Sequence, residues 1–118
     1  ANLTDESMAD IVKWVQDWEY TPAEITIEGD VDAGQALFGT CATCHGIDAK
    51  GNASLGAPAL AGQNDWYLIT QLKNFVAGYR GRHEDDLYGQ QMSAMVGTLT
   101  DEAAIRDVVA YINSLVLR

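Results

Sequence analysis

Residues 41–45 read Cys-Ala-Thr-Cys-His, and this stretch limits the folds open to the chain more than any other feature. The two cysteines are three positions apart, and a histidine directly follows the second. No other cysteine occurs in the 118 residues, and the only other histidine, His83, lies far along the chain. The stretch can therefore be a disulfide, part of a metal site, a redox dithiol or the attachment point of a cofactor.

Three of these four interpretations fit the rest of the sequence poorly. A thioredoxin-type dithiol belongs to a βαβ pattern, which this chain lacks. A structural zinc site needs four ligands, and the only histidines are the adjacent His45 and the distant His83. A disulfide between Cys41 and Cys44 would close a very small loop and leave His45 without a role. The remaining pattern, C-x-x-C-H, is that of covalent c-type haem attachment.

The spacing of the motif suits this chemistry. Residues three apart on a helical turn share one face, so both sulfurs can reach the two vinyl groups on one edge of a porphyrin. His45 is then held beneath the iron. Residues 44–63 are dominated by Gly, Ala, Asn and Pro, and a loop of that length is unusual in a compact domain unless it wraps something. The sequence predicts a domain folded around a bound haem.

Apolar periodicity and capping residues predict an all-α fold. Thr4 and Asn64 are expected to cap helices, and Gly78 is expected to stop one. Residues 20–30 contain Pro22 and are interpreted as a surface linker. No strand pattern is visible beyond 25–27, and no internal repeat is visible. Helices are expected at about 5–19, from near Asp30 or Asp32 to the cysteines, at about 65–78, within 87–95 and at about 101–116.

The charge distribution bears on the partners. The formal net charge is −10, and residues 1–30 hold eight acidic residues against Lys13 alone. Because phosphate backbones would be repelled, we expect no nucleic acid partner and instead redox proteins with basic docking surfaces. No apolar run approaches the roughly 20 residues of a membrane-spanning helix, so no membrane span is expected.

Five segments follow one another along the chain: AGQALFGTCATCHG, GAPALAGQ, YLITQLKNFVAGYRG, YGQQMSAM and LTDEAAIRDVVAYI. In this order they resemble the small bacterial haem domains of class I cytochrome c, and the resemblance covers residues 31–117. It implies a class I cytochrome c fold around one covalent haem, to which the helix expected at about 5–19 adds an extra N-terminal helix. We therefore divide the chain into an acidic extension, 1–30, and a haem domain, 31–118.

The resemblance also implies roles for residues near the motif. One haem c would be attached through Cys41 and Cys44, with His45 as an axial ligand of the iron. The family's proline carbonyl that orients this histidine corresponds to Pro58, and the leucine that lies against the porphyrin corresponds to Leu60. A contact between the terminal helices of the haem domain is expected to involve Gly34, Phe38 and Tyr111.

The second axial ligand implied by the resemblance is Met92. Met95 is the alternative thioether, interpreted as packing at the haem edge, and His83 is a third option, interpreted as a solvated surface residue. Donors for the haem propionates are left open among five residues: Gln63, Trp66, Tyr67, Arg80 and Arg82.

His/Met ligation leaves no open position on the iron, so the resemblance implies an electron carrier and no enzymatic activity. The expected protein is periplasmic and shuttles electrons between respiratory redox proteins, with a signal peptide removed before Ala1. An alternative is a haem domain excised from a larger oxidase or dehydrogenase. A haem-based sensor is the third hypothesis.

The first helix carries an apolar stripe formed by Met8, Ile11, Val15 and Trp18. We expect this stripe to pack onto the haem domain. The alternative is that Trp14 and Trp18 form a homodimer seam or dock a partner, since such a stripe is unusual on the surface of a monomer.

Overall fold

The computed structural model describes residues 2–116, and within them it contains five α-helices, two short 3-10 turns and no strands. The prediction of an all-α fold is confirmed. The last two residues of the expected haem domain, 117 and 118, lie outside the described residues. The helices are α1 Asp5–Gln16, α2 Val31–His45, α3 Asp65–Ala77, α4 Leu87–Met95 and α5 Glu102–Val116, and the 3-10 turns are Ala53–Leu55 and Val96–Thr98.

The helix boundaries follow the capping chemistry. The Thr4 hydroxyl accepts a hydrogen bond of 3.0 Å from the Ser7 N–H at the start of α1, and Asp30 caps α2 by accepting from the Ala33 N–H at 3.1 Å. Asn64 stands at the N-cap position of α3, but its side chain makes no capping hydrogen bond. Gly78 ends α3 in the left-handed region, at a φ of 80°, as predicted. Helix α1 ends three residues before its predicted end, at Gln16.

The centre of the fold is the crossing of α2 and α5. Gly34 lets the two backbones approach so closely that a Cβ atom there would collide with the Asp107 carbonyl oxygen. One turn along α2, the ring of Phe38 meets that of Tyr111 with centroids 5.3 Å apart. The predicted contact of these residues is confirmed. The crossing brings the end of α2, with Cys41–His45, alongside the middle of α5.

Helices α3 and α4 complete the core on one side of this crossing. Helix α3 packs against α5 and the second 3-10 turn, and α4 continues directly into that turn. The described helices include none that is long and apolar enough to cross a membrane. Most of the buried apolar side chains form one continuous cluster, contributed mainly by α2, α3 and α5: Phe38, Ala49, Leu68, Ile69, Leu99, Ile105, Val108, Val109, Tyr111 and Ile112.

The linker before α2 is held to the domain by one buried carboxylate. Asp65, in the first turn of α3, accepts hydrogen bonds from the backbone N–H groups of Thr26 and Ile27 at 2.6 and 3.0 Å, and from the Thr26 hydroxyl at 2.6 Å. It also accepts one from the Trp66 N–H at 2.7 Å. Burial opposes ionisation of Asp65, but these hydrogen bonds to the charged form hold its pKa below the ordinary value. The β-branched stretch 25–27 is therefore a clamped, extended segment.

Helix α1 contradicts the expectation that its stripe covers the haem domain. None of its residues is buried, and the two indole rings of Trp14 and Trp18 contact each other edge-to-face at 4.8 Å. The clamp holds Thr26 and Ile27, which follow the end of α1 at Gln16, so it does not fix the helix itself. Amphipathic periodicity showed which face is apolar, but it could not identify the surface that this face contacts.

Replacing Gly34 with Ala should destabilise the domain by about 1–3 kcal/mol, because the added methyl forces α2 and α5 apart. Gly39→Ala is the matched control on the same helix, since a Cβ there meets nothing within 4 Å and better helix propensity should stabilise it by up to about 1 kcal/mol. Urea denaturation of both variants measures the difference. Equal stabilities would show that the helices do not depend on this close approach.

Replacing Asp65 with Asn should lower the free energy of unfolding at neutral pH by about 1–3 kcal/mol, the range for hydrogen bonds to a charged group. The pKa of Asp65 is lower in the folded than in the unfolded protein. The stabilisation from its ionised carboxylate is therefore fully present above the ordinary pKa of 3.8, and it is lost as the pH falls through the folded pKa. The difference in denaturation midpoint between wild type and variant should therefore shrink below that pH. Asp85→Asn, at an exposed position, is the control, and a pH-independent gap would contradict the ionic origin of the clamp.

Candidate cofactor site

A cavity of about 470 Å³ lies between the end of α2, the loop that follows it, and helices α3, α4 and α5. Its volume falls in the range of cofactor-binding clefts. Most of its walls are apolar, with contributions such as Leu68, Phe75 and Val108. All six residues that the sequence analysis assigned to the cofactor line this cavity: Cys41, Cys44, His45, Pro58, Leu60 and Met92.

Both cysteines lie on the last turns of α2 and face the cavity as free thiols, each partly exposed. Burial raises the pKa of the Cys41 thiol; a backbone hydrogen bond opposes this rise, and the neighbouring Cys44 adds to it. Helical spacing brings both sulfurs to the same wall, as their separation of three residues predicts. The pair can form two bonds to a single flat molecule in the cavity.

His45 is the last residue of α2 and is buried. Its Nδ1 lies 2.8 Å from the carbonyl oxygen of Pro58. Because a carbonyl only accepts, Nδ1 carries the proton in this contact and Nε2 keeps its lone pair. Such a hydrogen bond fixes the tautomer and the orientation of a metal-binding imidazole. The arrangement presents one unprotonated nitrogen for coordination.

The loop after α2 is folded by backbone hydrogen bonds centred on Ala49, which is fully buried. The Ala49 carbonyl accepts from the N–H groups of Leu60 and Ala61 at 2.8 and 3.0 Å, and the His45 carbonyl accepts from Gly51 at 2.8 Å. These bonds place Pro58 and Leu60 at the cavity despite the near absence of regular structure. A loop rich in small residues is thus ordered by its own backbone around the site.

Helix α4 brings both methionines of the haem domain to the cavity. Met92 is half-buried, whereas Met95, one turn further, is 38% exposed. His83 is absent from the cavity lining, and its side chain is 72% exposed. The structure therefore brings together the two thioether alternatives and leaves the third option at the surface.

Among the five propionate donors considered, Gln63, Tyr67 and Arg80 line the cavity, whereas Trp66 and Arg82 do not. The Arg80 guanidinium lies 4.7 Å from the centre of the Phe75 ring and donates to the Gln71 side chain at 2.8 Å. These two contacts hold a cation at the edge of a mostly apolar cavity. Sequence reasoning missed Gln71, although its position four residues after Tyr67 places both on one helical face.

The donor set fits a haem group. Two thiols, an oriented imidazole and thioethers surround an apolar space, and a fixed guanidinium stands at its edge. The model for the family named Cytochrome c matches residues 31–116. This chain belongs to the cytochrome c family.

Two bacterial cytochromes illustrate the relationship. Cytochrome c-554(548) from Halomonas halodenitrificans is 38% identical over 86 residues, which cover 73% of this chain and 96% of that protein. Cytochrome c4 from Stutzerimonas stutzeri is 34% identical over 88 residues, covering 73% of this chain but only 41% of that protein. The chain thus spans nearly all of one relative and about two fifths of the other.

A solved structure, the thiosulfate dehydrogenase of Marichromatium purpuratum, resembles the chain with a TM-score of 0.69 and 26% identity. The likeness covers 95% of this chain and 25% of that one. The chain is a class I c-type cytochrome domain, and its function is haem-based electron transfer. Domains of this kind occur both in small cytochromes and inside larger redox proteins.

Proposed function

We propose that Cys41 and Cys44 bind one haem c by thioether bonds and that His45 and Met92 are the axial ligands of its iron. The observation that carries this proposal is the 2.8 Å hydrogen bond from His45 Nδ1–H to the Pro58 carbonyl, which leaves Nε2 as the coordinating atom. Met92 is favoured over Met95 because it is the less exposed thioether in the cavity.

The chain's own residues set the properties of the site. When bound, haem supplies reversible one-electron chemistry at its iron. The apolar side chains of Leu60, Leu68 and Phe75 exclude water from the cavity. A neutral thioether from Met92 favours the ferrous state and so raises the reduction potential. Arg80, held by Gln71 and Phe75, donates to a propionate at the cavity edge.

The same ligand set supports a carrier and not an enzyme. Two protein ligands on the iron leave no coordination position for a substrate, so the domain passes electrons without bond chemistry. We propose the periplasm as its compartment and respiratory redox proteins with basic docking surfaces as its partners, in keeping with the net charge of −10. In a longer polypeptide, the same domain would relay electrons to or from a neighbouring catalytic unit.

The intact mass of the purified protein should exceed the polypeptide mass by one haem, and this excess should survive denaturation. Replacing both Cys41 and Cys44 with Ala should remove the excess and strongly destabilise the fold, because a ligand that binds only the native state stabilises it. Ser54→Ala, outside the cavity lining, is the control. A double variant that lacks haem and keeps its full stability would refute the cofactor assignment.

Replacing Met92 with Ala should lower the reduction potential by on the order of 100 mV, within the roughly 0.8 V that axial ligands span. It should also remove the weak near-red band of the ferric protein that reports sulfur coordination. Met95→Ala is the matched control on the same helix and should preserve that band. The opposite pattern of spectra and potentials would assign the ligand role to Met95.

A further inference from the structure

Helix α1 presents a large apolar surface that nothing in the described residues covers. Six apolar side chains in α1 and directly after it are between 43% and 65% exposed. Six exposed apolar side chains on one short segment are unusual on a soluble monomer, whose largest apolar patch usually reaches about 300–600 Å². The six are Met8, Ile11, Val12, Trp14, Val15 and Trp18.

The apolar positions of α1 resemble those of α5. When the helices are aligned from the residues that cap them, Thr4 and Asp101, each residue of α1 pairs with the residue 97 positions later. Two positions are identical, Asp10 with Asp107 and Val12 with Val109, and the similar pairs are Met8 with Ile105, Ile11 with Val108, Trp14 with Tyr111, Val15 with Ile112 and Gln16 with Asn113.

The repeated positions have a defined task in α5. Val108 and Ile112 line the haem cavity, and Tyr111 packs on Phe38 where α5 crosses Gly34 of α2. All five apolar positions of α5 that match α1 are at most 6% exposed. An amphipathic helix in general does not need an aromatic residue at this position, where Trp14 matches Tyr111. The pattern is that of a helix that closes a haem domain.

We infer that α1 is the closing helix of a second haem-binding domain that precedes residue 1 in the same polypeptide. In that domain, Ile11 and Val15 contact the haem, and Trp14 packs where the helix crosses its glycine-containing partner. The inference rests on the proposed function, since it takes the role of α5 at the haem cavity as the guide. A domain equal in length to the present one would carry its C-x-x-C-H motif about 97 residues before Cys41.

Two further observations favour this occupant. The likeness to the thiosulfate dehydrogenase covers 95% of this chain, so it extends into residues 1–30. It covers only 25% of the thiosulfate dehydrogenase chain, so the matching segment there is part of a longer polypeptide. Segment 1–30 also carries a net charge of −7, which disfavours burying two copies against each other. The clamp at Asp65 and the Asp30 N–H donating to Asp107 at 2.8 Å fix the junction between the two domains.

Amide hydrogen exchange on the full-length encoded protein and on residues 1–118 tests the inference. In the full-length protein, α1 amides should exchange at least 100-fold more slowly than in residues 1–118, because only there is the helix packed. Amides of α5 are the internal control and should be equally protected in both. Cleavage within 20–30 should yield an N-terminal fragment whose mass includes one haem.

A pair of substitutions separates packing from other effects. In the full-length protein, Val12→Asp should unfold the upstream domain, whereas Ala9→Asp, at the position matching half-exposed Arg106, should leave it folded. Equal exchange of α1 in both proteins, or an upstream sequence without a C-x-x-C-H motif, would overturn the inference. If residues 1–118 self-associate and Val12→Asp abolishes this association, the apolar face of α1 binds a second copy of the chain. That result would also overturn the inference. The presence of haem on the C-terminal fragment tests the proposed function separately from this inference.

Discussion

The crossing of α2 and α5 at Gly34 is the constraint on which the rest of the structure depends. Because a side chain is absent there, the helices approach until Phe38 and Tyr111 meet, at a centroid distance of 5.3 Å. That approach puts the last turn of α2, which ends in His45, against a wall of α5 side chains. The cavity exists because α2, which carries the reactive groups, is held at this separation from α5, which presents the aliphatic side chains of Val108 and Ile112 to the cavity.

The loop after α2 depends on the same crossing but uses a different interaction. With little regular structure, it is ordered by backbone hydrogen bonds to the carbonyl of buried Ala49, and it delivers the Pro58 carbonyl to His45 at 2.8 Å. A backbone carbonyl carries no sequence signal of its own. The role of Pro58 came from the resemblance to a family, and the structure supplied the distance that gives the role a physical basis.

The first helix shows where periodicity misleads. Its apolar stripe was correctly identified, yet the expected partner surface was wrong, because periodicity reports which face is apolar and not what lies against it. The relevant signal was the position-by-position match to α5, including the aromatic at Trp14 and the acid at Asp10. It became visible once the structure showed that the same pattern is fully buried in one helix and exposed in the other.

The sequence by itself determined the helical fold, most of the helix ends and the group of residues at the cofactor site, because caps, turn residues and the C-x-x-C-H spacing act over a few neighbouring positions. Only the tertiary structure decided which of the polar candidates reach the cavity, that Gln71 and Phe75 hold Arg80, and that Asp65 clamps the linker. These contacts join residues that are distant in the chain or depend on which side of a helix meets the cavity. Such choices follow from how whole helices pack, and local sequence patterns do not encode them.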